Sequence, residues 1–433
     1  MMNRATRSKA KVRQSIGERL AKRAEQLGPG LITGAADDDP SGIATYSQAG
    51  AQFGYGLLWT MLLTFPLMSA IQLISARIGR VTGHGLGRAL IRAFPPHVVG
   101  ALVTVLVVAN TINIGADLAA MGAAAELVVG GGGHFFTIGF AAVSAALQLL
   151  LPYERYARFL KWLTLSLFSY VAVLLTVNVD WAAALRGFVW PGTIHKEAIV
   201  TIVAVLGTTI SPYLFFWQSS QEAEEVATHD KAKPLKDAPA QAPREFRRIR
   251  LDTFAGMALS NLIAIAIMMA TAATLHVQGI TTIDSAADAA AALRPVAGDF
   301  AFALFAIGII GTGLLAVPVL AGSAAFAVAE ARGWHSGLEC KPYQATGFYS
   351  VAVAATLVGV MLDWAPIDPM RALFWSAVLN GIVAVPIMAA MMLLVTRPSV
   401  MGKFIAGRAL VVFGWAATLA MFAASVFMLG GLL

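Results

Sequence analysis

Residues 28–50 read GPGLITGAADDDPSGIATYSQAG, an apolar segment interrupted in its middle by three aspartates (37–39) and Pro40. Residues 205–220, VLGTTISPYLFFWQSS, carry a second interruption, at Pro212. Proline donates no backbone hydrogen bond, and the glycine and hydroxyl residues beside it tolerate unwinding. The two patterns predict two helices that are broken near their midpoints.

The composition places these helices in a membrane. The chain has 433 residues, of which 58% are hydrophobic and 13% charged, whereas soluble domains carry about 25% charged residues. Runs such as Leu57–Ser75 and Phe404–Leu433 are continuous instead of alternating as barrel strands do. The fold class is therefore all-α and polytopic, with about eleven spans. We expect them near 29–50, 55–78, 100–129, 135–152, 159–178, 198–220, 252–276, 299–329, 346–363, 371–395 and 408–431.

The two interruptions fall in the first and sixth of these spans. Matching breaks in two five-helix halves are the pattern of an inverted-repeat carrier, which holds its substrate at the unwound midpoints. We expect one transmembrane domain over 28–433, with repeats near 28–178 and 198–395 and an extra helix at 408–431. Two local alternatives are open. The first break is also consistent with a surface turn, although that leaves too short an apolar piece to span, and the second with a simple proline kink.

The net charge of +7 is spread over short connections, so the sequence predicts no nucleic-acid partner. Basic residues concentrate in alternate connections, which assigns those connections and the basic tail 1–27 to the cytoplasm. The protein is expected in the cell inner membrane, in contact with the lipid bilayer. Residues 221–250 form the one long polar insertion, which we interpret as a solvated cytoplasmic loop in preference to a binding module.

The cysteine and histidine residues do not favour a disulfide, a thiolate metal cluster or a catalytic site. Cys340 is the single cysteine, so neither a disulfide nor a thiolate metal cluster is expected. A membrane hydrolase would need a nucleophile with a histidine base or a metal-binding histidine pair inside a span. Instead, the histidines all fall in predicted loops or span ends; they are His84, His97, His134, His195, His229, His276 and His335. We predict that the protein is not an enzyme.

The first interruption resembles the Nramp family of divalent-metal transporters, and in particular its divergent branch of Nramp-related magnesium transporters (NRMT). Asp39-Pro40-Ser41-Gly42 stands where typical members have Asp-Pro-Gly-Asn, and it is followed by GAQFGY at 50–55 and by Leu57-Leu58-Trp59. Residues 75–83 are similar to the family's end of helix two. The resemblance implies eleven or twelve spans in a LeuT-type fold and makes Asp39 the metal-binding aspartate.

Three departures from the family pattern concern the site itself. Gly42 stands in place of the motif's asparagine, and Ser211-Pro212-Tyr213 replaces Met-Pro-His in helix six. In helix three the family has Asp-Leu-Ala-Glu, whereas this chain has Asp-Leu-Ala-Ala. Asp117 keeps the aspartate, and Ala120 replaces the glutamate. The thioether ligand, the relay histidine at Tyr213 and a proton-relay carboxylate are therefore missing.

These residues predict a site for a hard divalent ion. Asp39 would supply the charge, Ser211 a hydroxyl, and Ala36 and Thr208 backbone carbonyls freed by unwinding, while Gly42 would leave room for a hydrated ion. Oxygen ligands suit Mg²⁺ and Mn²⁺ better than later transition metals, and Mg²⁺ keeps several of its waters.

Three further residues have two interpretations each. Asp38 either assists the ion or caps the following half-helix. Asp117 is a charge on the metal pathway or a polar packing residue, and Asn380 supplies an amide to the site or a helix-packing hydrogen bond.

The expected function is alternating-access transport of Mg²⁺ or Mn²⁺ without obligatory proton coupling. No cofactor beyond the transported ion is expected, and a monomer would suffice. A proton-coupled Mn²⁺/Fe²⁺ symporter and an amino-acid carrier of the same fold are the alternatives, and a channel or a metal sensor also remains open.

Overall fold

The computed structural model describes residues 34, 37–151, 162–191, 196–229 and 231–432. In this part of the chain the regular structure is entirely helical. The eleven expected spans correspond, in chain order, to helices Pro40–Phe53, Leu58–Thr82, Pro96–Val129, Gly133–Leu150, Phe168–Thr176, Lys196–Thr209 continued by Pro212–Thr228, Ala242–Thr274, Ala301–Arg332, Thr346–Met361, Pro369–Val395 and Arg408–Leu432. Within the described residues, nine helical stretches are long and apolar enough to cross a membrane. The expected tail and the start of the first span, like Ala36, lie outside the described residues.

Both predicted interruptions are present. The helix of the first span begins at Pro40, after Asp39 in extended conformation (φ −71°, ψ 170°). The sixth span ends its first half at Thr209 and restarts at Pro212, after Ser211 in extended conformation (φ −77°, ψ 130°). Each proline therefore occupies the first turn of a half-helix, where its missing N–H costs nothing. The second break separates two helices within one span, which excludes a simple kink, and the burial of Asp37, Asp38 and Asp39 argues against an exposed surface turn at the first.

Some connections are more ordered than the sequence indicated. A short helix, Leu86–Ala93, follows the second span, and another, Trp181–Val189, follows the fifth. Helices run through most of the segment 221–250, and Leu235 within it is fully buried. Our interpretation of this segment as a solvated linker does not fit the structure, because its polar residues make buried ion pairs that hold it against the second span.

The spans form two packed groups. The first span lies against the seventh, and the second against the sixth and seventh; the third packs on the fourth, eighth and ninth. The tenth span contacts members of both groups. The broken first and sixth spans thus belong to one group, and the third span, which carries Asp117, belongs to the other.

One end of the bundle gathers the basic connections. The Leu235 N–H donates to the carbonyl of Arg80, and the Arg77 guanidinium donates to the carbonyl of Phe404. Buried ion pairs join the second, sixth and seventh spans here: Arg80 contacts Glu245 at 2.9 Å, and Arg248 contacts Glu222 at 2.6 Å. We call this the basic end.

Candidate metal site

Asp39 caps the half-helix that follows it, and only 1% of its surface is exposed. Its Oδ1 accepts hydrogen bonds from the Gly42 N–H at 2.8 Å and from the Ser41 hydroxyl at 2.6 Å. This is the ordinary N-cap arrangement, which satisfies a backbone donor that the helix itself cannot. One carboxylate oxygen is therefore committed to the fold.

The other oxygen, Oδ2, faces different spans. The Tyr213 hydroxyl donates to it at 3.3 Å and the Asn113 amide at 3.4 Å. Both distances exceed the usual range for bonds of these types. Oδ2 is consequently the less strongly held oxygen, at a junction of the first, third and sixth spans.

Asn113, which no sequence motif singled out, organises the polar centre. Its Nδ2 also donates to Asp117 Oδ2 at 3.1 Å, and its Oδ1 accepts from the Asn380 amide at 2.8 Å. The remaining oxygens, Asp117 Oδ1 and Asn380 Oδ1, are buried without a hydrogen-bond partner in the described part of the chain. The signal was present in the sequence: Asn113 precedes Asp117 by four residues, which puts both on one face of an apolar helix.

Ser211 and Thr208 lie at the break of the sixth span, as predicted, but in different roles. The Ser211 hydroxyl is 2.7 Å from the Thr208 carbonyl oxygen and 3.0 Å from that of Gly207, so it caps the end of the preceding half-helix. The Thr208 carbonyl, which was expected to be free for an ion, accepts a hydrogen bond from this side chain. The Thr208 side-chain hydroxyl is buried beside the hydroxyl of Tyr46, with which it makes a hydrogen bond.

The expected space beside Gly42 is already filled. A Cβ added to Gly42 would lie 3.2 Å from Thr208 Oγ1 and 3.3 Å from a ring carbon of Tyr46. Such contacts require the neighbours to shift. Gly42 therefore permits close approach of the two interrupted spans, and in this conformation it leaves no room for a hydrated ion.

Asp38 contacts the seventh span. Its Oδ1 lies 2.9 Å from the hydroxyl of Ser260, which is also 2.7 Å from Asp37 Oδ2. The structure thus brings together Asp39, Asp117, Asn380 and Tyr213 from the predicted set. It places Asp38 in a separate contact.

The described histidines occupy helix ends and connections, as predicted, and His195 lies outside the described residues. Cys340 has no disulfide partner. Among the described residues, no cluster of three or more His, Cys, Asp or Glu side chains is arranged to hold a metal. The candidate centre instead combines carboxylate, carboxamide and hydroxyl groups.

A sequence comparison with protein families matches residues 30–430 to Nramp, described as natural resistance-associated macrophage protein-like. The chain is 26% identical over 437 residues to the divalent metal cation transporter MntH of Deinococcus radiodurans, covering 99% of this chain and 94% of that protein. It is 28% identical over 302 residues to MntH of Yersinia enterocolitica, covering 66% and 68%.

Solved structures give the same fold. A manganese transporter of Eremococcus coleocola superposes with a TM-score of 0.70 at 15% identity, over 93% of this chain and 85% of that one. Mhp1, a nucleobase-cation-symport-1 family transporter, superposes with a TM-score of 0.55 at 14% identity, over 93% and 92%. At these identities the likeness concerns the fold alone, and it confirms the predicted LeuT-type architecture.

Proposed function

The chain belongs to the Nramp family, and on that premise we propose that it carries divalent metal cations, Mg²⁺ or Mn²⁺, across the membrane by alternating access. The observation that carries the proposal is the position of Asp39, a buried carboxylate at the junction of the two interrupted spans. An ionisable group inside a membrane is costly and is kept for a function. The names of the relatives, divalent metal cation transporter and manganese transporter, support the same substrate class.

The chemistry around Asp39 favours a hard ion. Asp39 Oδ2 is weakly held, and Asp117 Oδ1 and Asn380 Oδ1 are buried acceptors without donors among the described residues. Mg²⁺ and Mn²⁺ prefer oxygen ligands, and Mg²⁺ is usually held by one or two carboxylates with waters retained. Ser211 puts a hydroxyl where the family has sulfur, which removes a preference for softer metals and supports assignment to the magnesium-transporting branch.

The packing suggests how access alternates. Asp39 and Tyr213 belong to one group of spans, whereas Asn113, Asp117 and Glu330 belong to the other. At the basic end, Glu330 of the eighth span accepts hydrogen bonds from the Ser220 hydroxyl at 2.7 Å and from the Gly87 N–H at 2.9 Å. Movement of the groups against each other would break these contacts and open a path from Asp39 to the basic end.

Orientation follows from the positive-inside rule, under which the basic end is cytoplasmic. The N-terminal tail would then be cytoplasmic, and the protein would lie in the cell inner membrane. Both groups of spans come from one chain, so a monomer is sufficient for this cycle.

The alternatives are less well supported. A proton-coupled Mn²⁺/Fe²⁺ symporter would need a proton-relay group, yet Tyr213 and Ala120 stand where the family has histidine and glutamate. An amino-acid carrier would offer a half-helix N-terminus to a substrate carboxylate. Here the N-terminus of the half-helix Pro40–Phe53 is capped by Asp39, which would repel that anion.

Uptake into proteoliposomes tests the proposal. Asp39→Asn should reduce Mg²⁺ and Mn²⁺ uptake at least tenfold, because it removes the charge nearest the ion in a site of low dielectric. Asp284→Asn is the matched control, since it also removes one carboxylate charge, but from an exposed residue that pairs with Arg371. Uptake by Asp39→Asn at the wild-type rate, or competition by amino acids, would overturn the assignment.

A further inference from the structure

The first span runs alongside the seventh in the same direction. A Cβ at Gly34 would collide with the backbone of Gly256, and one at Gly50 would collide with Met268 and Thr271. Residue 34 therefore lies nearer the basic end than residue 50. The segment that precedes Asp39 leads from the candidate metal site toward the ion pairs of that end.

Asp37 and Asp38 lie in this segment, 0% and 4% exposed. Their carboxylates meet a single hydroxyl from the seventh span: Ser260 Oγ is 2.7 Å from Asp37 Oδ2 and 2.9 Å from Asp38 Oδ1. A serine hydroxyl carries only one hydrogen and can donate it to only one of them. With both carboxylates ionised, one of these short oxygen–oxygen contacts has no hydrogen between its atoms.

A further carboxylate oxygen also lacks a hydrogen-bond donor. Asp37 Oδ1 is buried and accepts no hydrogen bond from the described residues. Neither Asp37 nor Asp38 forms an ion pair with a lysine or arginine in that part of the chain. A buried carboxyl group is normally paired with a cation, bound to a metal or neutralised by a proton, and the described side chains supply no cation here.

We propose that Asp37, Asp38 and Ser260 form a second divalent-cation position, through which an ion released from Asp39 passes toward the basic end. The proposal rests on the transport function proposed above. Two carboxylates and a hydroxyl form an all-oxygen set that fits Mg²⁺ or Mn²⁺ with water completing the shell. Because the aspartates precede Asp39 directly in the chain, the ion would move a short distance without crossing an uncharged region. Gly34 packs closely on Gly256, one turn before Ser260 in the seventh span.

Isothermal titration of the full chain in lipid nanodiscs with Mn²⁺ tests this position. The wild type should bind in two events, the tighter lost in Asp39→Asn and the weaker lost in Asp37→Asn/Asp38→Asn. The control Asp284→Asn/Asp299→Asn removes the same charge from exposed positions and should keep both events. Retention of the Asp39-dependent event in the double variant shows that it is folded.

The outcomes separate the two proposals. One event in the wild type, or two in Asp37→Asn/Asp38→Asn, overturns the second position and leaves the transport function standing. Loss of neither event in Asp39→Asn overturns the transport site itself. Should the double variant fail to fold, Ser260→Ala keeps both carboxylates and should weaken the second event about fivefold; an unchanged second event would also sink the proposal.

Discussion

The side-chain amide of Asn380 donates a 2.8 Å hydrogen bond to Oδ1 of Asn113, which joins the tenth span to the third beside the candidate metal site. This bond fixes the orientation of the Asn113 carboxamide, because an amide whose oxygen is held must present its nitrogen to the other side. The nitrogen there faces both Asp39 and Asp117. Asn380 thus positions the two carboxylates through Asn113.

Asn380→Ala should lower both thermal stability and metal affinity. Loss of a buried hydrogen-bond partner costs about 1–3 kcal/mol, and a freed Asn113 would let the two carboxylates reorient, so we expect about tenfold weaker Mn²⁺ binding by calorimetry. Asn110→Ala is the matched control, since Asn110 bonds Leu320 and Ser323 of the eighth span instead. Equal losses of affinity in both variants would mean that Asn380 acts only through stability.

Ser211→Met should shift selectivity from Mg²⁺ toward Mn²⁺, Fe²⁺ or Cd²⁺, because a thioether is a soft ligand. Competition against Mn²⁺ uptake measures this. The substitution also removes the hydroxyl that caps the carbonyls of Gly207 and Thr208, and Ser211→Ala separates that loss from the gain of sulfur. Identical competition profiles for Met and Ala would show that this side chain does not line the ion.

Metal uptake should proceed without obligatory proton movement. The described histidines lie at helix ends or in connections, and histidine is the side chain best suited to exchange protons near neutral pH. The driving force would be the ion gradient and a membrane potential worth about 2.3 kcal/mol per elementary charge at 100 mV. A pH-sensitive dye inside proteoliposomes is the measurement. Acidification that follows metal dose and vanishes in Asp39→Asn would return the protein to the proton-coupled carriers.

Glu330→Ala should open the basic end. Its carboxylate holds the sixth span and the helix Leu86–Ala93 against the eighth span. Without it, an Ala89→Cys reporter in a Cys340→Ser background should react several-fold faster with a membrane-impermeant thiol reagent. The control is Glu339→Ala, which removes an exposed carboxylate and should leave the labelling rate unchanged. A rate unaffected by Glu330→Ala would contradict this role.

Local chemistry determined much of this protein from the sequence alone. The apolar runs specify spans, because a helix is the only way for such a segment to satisfy its backbone within lipid. Pro40 and Pro212 determine where two of the spans restart, since neither residue can donate a backbone hydrogen bond. Asp39 was identifiable because a carboxylate within an apolar span is costly.

Only the tertiary structure decided what surrounds that carboxylate. Asn113 reaches Asp39 across 74 residues of sequence, and Ser260 reaches Asp37 across 223. An asparagine or serine in an apolar helix has the same local signature whether it faces lipid, a neighbouring helix or a site. Helix packing, which brings distant spans together and buries their polar faces, selects among these possibilities, and it also filled the space beside Gly42 that the sequence indicated as open.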